Sequence, residues 1–168
     1  MSSQHKTIVV NTSPLLAITA ATGDLSLFQK LNLHTIVPQE VAQEIRSGGG
    51  DRLGVQELND ASWLDIQPEP VAIAPYLLNT LDRGEASVIQ TALNQGITTV
   101  CIDEKAGRRV ARLSQLQLTG SIGILLKGKQ TGYVDSVAIA IQRMKNHGIY
   151  LSQSVIAFAL NQANENNL

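Results

Sequence analysis

Apolar positions fall along this chain in short blocks whose period changes from two to three or four. Residues 6–10, KTIVV, form a β-branched run bounded by polar residues, which predicts a buried strand. The run breaks at Asn11. Ser13-Pro14 then opens a helix, with serine as its cap and proline at its first position, and Gly23 ends it. Asp24 restarts a short helix carrying Leu25, Leu27, Phe28 and Leu31. Residues 34–37 read as a second strand. Pro38 begins the helix PQEVAQEIR, stopped by the loop Gly48-Gly49-Gly50. DRLGVQELNDASW holds one more short helix, 64–66 a short strand, and 68–75 a proline-bearing connector.

The second half alternates more regularly. Residues 85–95 predict a helix with Ala86, Ile89 and Leu93 on one face, stopped by Gly96. Residues 98–102 form an almost continuous apolar run, as buried parallel strands do. A basic helix over 105–115 follows, then a short strand in LQLTGS and a helix over 121–129. Residues 134–146 and 152–164 pattern as two amphipathic helices. The polar tail NENN is expected to fray. Strands alternating with helices predict an α/β domain with a mainly parallel sheet. The 168 residues suit one domain, 1–168, with no internal repeat.

Composition narrows the function classes. The chain is 43% hydrophobic and 16% charged, with a formal net charge of -1, so no global basic field draws in nucleic acid. Contact with nucleic acid must come from a local patch. A single cysteine, Cys101, excludes an internal disulfide framework; its apolar neighbours make it a small buried hydrophobe. No apolar run approaches the ~18 residues of a membrane span. No basic segment precedes a long apolar stretch at the start, so a cytoplasmic, membrane-free protein is expected.

In an open parallel sheet the ligand site lies outside the carboxyl ends of the strands. Asn11 ends the first strand; Asp103, with Glu104 beside it, ends the strand TTVCI. Glu85 opens its helix just after Gly84, and Glu44 lies late on PQEVAQEIR. Oxygen ligands converging from several elements are what Mg²⁺ or Mn²⁺ requires. Each residue also has a plainer role. Glu85 suits a helix dipole, Asp103-Glu104 can cap the next helix, Glu44 can lie on a solvated face beside Arg46, and Asn11 can serve a turn.

Five stretches in order, VVNTSPLLAI, TIVPQEVAQEI, DRGEASVIQTAL, VCIDEKAGRRVA and LTGSIGILLKGKQTG, are similar to the PIN domain, in the branch filed as DUF3368. The resemblance covers nearly the whole chain. It implies a three-layer α/β/α sandwich. It also implies a metal-dependent ribonuclease, often the toxin of a toxin–antitoxin pair. The family's second, third and fourth acidic positions fall on Glu44, Glu85 and Asp103, the expected catalytic residues, with Glu104 an additional metal candidate. The first, normally an aspartate, falls on Asn11, supported by the hydroxyls of Thr12 and Ser13. One or two Mg²⁺ or Mn²⁺ ions, an RNA substrate, a small antitoxin and a homodimer are implied in the same way.

Asparagine at the first position keeps one carbonyl oxygen as a ligand and loses the charge. Weakened activity is expected. The alternative is a catalytically inactive domain that binds nucleic acid or protein. Lys105, Arg108, Arg109 and Arg112, spaced by three or four on one helix, are candidates for RNA phosphates. Aromatic residues make up only 4% of the chain, so base stacking is a poor source of affinity. A receiver-like phosphoacceptor would need an acidic pair near the first strand's end, and VVNTS offers none.

Overall fold

The computed structural model describes residues 5–50 and 52–166. Its centre is a five-stranded, all-parallel sheet: β1 (Lys6–Val10), β2 (Leu33–Val37), β3 (Asp65–Ile66), β4 (Thr99–Cys101) and β5 (Gln117–Thr119), in the order β3-β2-β1-β4-β5. The β-branched runs lie where the period predicted them. The middle strands are closed on both faces, so Val9, Val10, Val100 and Cys101 are buried. Nine α-helices flank the sheet among the described residues, consistent with a PIN-like α/β/α fold.

One group of helices gathers around α1 (Thr12–Thr22), which packs on α7 (Ser121–Gln130) and α8 (Val137–Asn146). The short α2 (Ser26–Lys30) and α9 (Gln153–Gln162) join that side through α7 and α8. The other group centres on α5 (Arg83–Gln95), which lies on β1 and β4 and meets α3 (Gln39–Arg46) and α6 (Lys105–Leu113). The short α4 (Val55–Asp60) packs on α3. A 3₁₀ turn at Pro75–Asn79 ends the proline-bearing connector. Phe28, Ile18, Leu58, Ile89, Ile102 and Met144 fill the interior.

Four expectations need correction. The first helix begins at Thr12 with Asn11 in the cap position, so Ser13 and Pro14 lie inside its first turn. Ser13 is thereby free to bond elsewhere. Leu93 does not share the buried face of α5. It is 41% exposed, while Ala92 beside it is buried, because the helix rolls Val88, Ile89 and Ala92 onto the sheet. Helix α8 begins at Val137, where Ser136 caps it by accepting from the Ile139 N–H at 3.1 Å. The polar tail does not fray through residue 165. Glu165 accepts from Val137 N at 2.7 Å, Ala138 N at 3.1 Å and the Ser136 hydroxyl at 2.9 Å, and pairs with Lys129 at 3.4 Å. Residue 167 of the tail lies outside the described residues.

Candidate active site

Sheet register builds the site. Val10 stands opposite Cys101 on adjacent parallel strands, and the Asn11 N–H donates to Cys101 O at 3.0 Å. The ends of β1 and β4 are therefore level. The chain leaves β1 toward β2 and reaches β4 from the opposite edge, so a crevice opens between the two strand ends.

Asn11 is extended (φ -83°, ψ 171°) and makes no cap bond to its own helix, so its side chain crosses to β4. Its Nδ2 donates to Glu104 Oε2 at 3.3 Å. The Ser13 hydroxyl donates to the other Glu104 oxygen. The Thr12 hydroxyl donates to Glu44 Oε2 at 2.9 Å, which draws the otherwise exposed Glu44 of α3 to the same rim. The amide orientation of Asn11 has a physical reason: turning its carbonyl toward Glu104 would set two acceptors face to face.

Glu85 arrives by a different route. Asp82 caps α5 and forms a capping box with it. Asp82 Oδ1 accepts from Glu85 N at 2.8 Å, and Glu85 Oε2 accepts from Asp82 N at 3.2 Å. Glu85 is 7% exposed. Burial raises its pKa above the usual glutamate value, and the charges of Asp82, Glu104 and Glu44 raise it further against the Asp82 backbone bond. Gly84 lets these groups close in. A methyl there would lie 2.8 Å from Glu44 Oε2 and 3.4 Å from both Asn11 Oδ1 and Asp82 Oδ1.

Asp103 faces the other way. Its Oδ1 accepts from the Ser121 N–H at 2.8 Å, at the start of α7. Burial raises its pKa; Ser121 and Arg108 pull it down, and Glu104 pushes it up. Arg108 is held in the same corner. Its guanidinium donates to Ile102 O at 2.8 Å and Thr119 O at 3.4 Å, tying the ends of β4 and β5 together. Gly120 is packed against both: a methyl there would meet Asp103 Oδ1 at 2.7 Å and Arg108 Nη1 at 3.2 Å. The structure thus sets Asn11, Thr12, Ser13, Glu44, Glu85 and Glu104 along one rim through pairwise contacts, with Asp103 and Arg108 beside them. Lys105, Arg109 and Arg112 are exposed on α6.

The donor set fits a hard cation in its chemistry. Asn11 is 4% exposed, and its Oδ1 has no hydrogen-bond partner among the described residues. It faces the same point above Gly84 as Glu44 Oε2. Among the described residues, however, no group of three or more His, Cys, Asp or Glu side chains is gathered for a metal ion. The carboxylates are instead shared out among protein donors. Sequence reasoning missed Asp82, although Asp82 followed three residues later by Glu85 is the spacing of a capping box. It also missed the close packing at Gly84 and Gly120, which has no signature in one dimension.

A family model described as DUF3368, PIN domain, matches residues 7–165. Comparison with curated proteins gave no match, and neither did comparison with solved structures.

Proposed function

The chain belongs to the PIN-domain family, and from that premise we propose that it hydrolyses RNA phosphodiester bonds at the crevice above β1 and β4, with a divalent cation and with activity weakened by Asn11. One observation carries this reading. Asn11, Glu44, Glu85 and Glu104 come from four separate elements and line one rim at the carboxyl ends of adjacent parallel strands, without three carboxylates closing on one point among the described residues. Bound there, Mg²⁺ or Mn²⁺ supplies a water of lowered pKa and offsets charge on the scissile phosphate.

The chain's own residues have separable tasks in this proposal. Asn11 Oδ1 and Glu44 Oε2 would hold the cation, with Glu104 behind Asn11. Glu85, its pKa raised, takes up a proton more readily than an ordinary glutamate, which suits the acceptor of a proton from attacking water. Asp103, fixed by Ser121, closes the far wall. Lys105, Arg109 and Arg112 would meet phosphates of the entering strand. Arg108 is committed to backbone carbonyls and serves the wall. The setting is a cytosolic toxin paired with a small antitoxin. Ile139, Tyr150, Val155 and Phe158 are exposed around α8 and α9 and offer apolar contact for that partner or for a second copy.

Incubation of the purified protein with single-stranded RNA and Mn²⁺ tests the reading. Slow, EDTA-sensitive cleavage is expected, abolished by E85Q and raised by N11D. A second reading, an inactive module that binds nucleic acid or protein, is favoured by the lack of a gathered carboxylate trio among the described residues. RNA binding that is indifferent to EDTA, with no cleavage by the parent or N11D, selects it and sinks the nuclease reading.

A further inference from the structure

We infer that the Asn11 amide does at rest the job a cation would do: its N–H group ties Glu104 of the β4 end to the β1 end, so the acidic rim keeps its shape without metal. Asp82, Glu85, Glu44 and Glu104 surround this point. No lysine, arginine or histidine pairs with any of them among the described residues, where the ion pairs are His34–Asp65 and Lys129–Glu165. Compensation therefore comes from dipoles. Thr12 serves Glu44, the Asp82 N–H serves Glu85, and Ser13 with Asn11 serve Glu104. Asn11 is the most buried of these donor residues, and its amide joins the two strand ends alongside the Ser13 hydroxyl.

An aspartate of the same shape would put an oxygen where Nδ2 stands, 3.3 Å from Glu104 Oε2. Two carboxylates would then face each other with no cationic side chain to separate them. Such a rim needs a bound cation to hold together; the asparagine rim does not. The second half of this inference rests on the cation site proposed above, and the first half does not.

Thermal unfolding of the parent, N11D and N11D/E104Q, each in EDTA and in millimolar Mn²⁺, tests it. In EDTA, N11D should melt roughly 2–4 °C below the parent. Mn²⁺ should restore most of that loss and shift the parent several-fold less. In N11D/E104Q donor and acceptor exchange places, so the melting point should recover in EDTA. If N11D gives no folded protein, the double variant still decides. N11D as stable as the parent in EDTA, or no recovery in the double variant, overturns the inference. N11D destabilised, recovered by E104Q and untouched by Mn²⁺ leaves the amide's role standing and removes the cation site instead.

Discussion

A methyl group on Gly84 would lie 2.8 Å from Glu44 Oε2, the far end of a flexible and mostly exposed side chain. The backbone need not move; Glu44 would. Alanine also gains about 0.5–1 kcal/mol over glycine inside a helix. G84A is therefore expected to melt close to the parent while Mn²⁺ affinity, read by calorimetry, falls roughly tenfold. Loss of stability with unchanged affinity would refute this. Glu85 makes a prediction with a definite sign. Its folded pKa is raised, so folding takes up protons as pH falls, and the cost of burying the carboxylate is fully present at neutral pH. In EDTA, the parent's stability relative to E85Q should rise on acidification from pH 7 toward about pH 4, near the ordinary glutamate value, and then level off. A parent that loses ground over that window would show that burial does not dominate. The acidic positions at strand and helix ends could be named from the sequence. Their orientations could not, because adjacent residues with the same charge point apart: Asp103 turns to Ser121 and Glu104 to Asn11 and Ser13.

At the scale of elements, the link between Glu165 and the start of α8 is the most testable contact. Burial works against its charge, but the Ala138 and Val137 N–H groups, the Ser136 hydroxyl and Lys129 outweigh it and hold the pKa below the usual value. A lowered pKa contributes stability above the ordinary glutamate range and loses it as pH falls through the folded value. E165A should cost about 1–2 kcal/mol at neutral pH, and the gap to the parent should close below about pH 4. Urea unfolding at the two pH values would show it, and an equal gap at both would not fit. The strands were readable because a buried parallel strand is apolar almost throughout, whatever surrounds it. The tail was misread because its polarity is that of a loop, while its partner Val137 lies 28 residues earlier in the chain. Ser13 was misread for a related reason. A hydroxyl before proline suits a cap, and only the neighbouring strand supplies the carboxylate that claims it.

For the whole molecule, a net charge of -1 supplies no global field for nucleic acid, so the proposed RNA contact rests on a local patch. Lys105, Arg109 and Arg112 project from one short helix next to the acidic crevice, and none has an acidic partner among the described residues. Replacing all three with glutamine should leave the melting point nearly unchanged. The salt dependence of RNA binding should weaken by roughly two units of log–log slope, at ~0.7 per lost phosphate contact on a single strand. R108Q should behave differently, lowering stability because it releases the ends of β4 and β5. The placing of β1 between β2 and β4 also governs when the protein becomes competent during synthesis. Asn11 leaves the ribosome 93 residues before Glu104, and the wall at Asp103 waits a further 18 residues for Ser121. A nascent chain therefore carries its first rim residue long before the groups that bond to it exist, and a translation product cut short ahead of β4 lacks Glu104 and cannot close the rim.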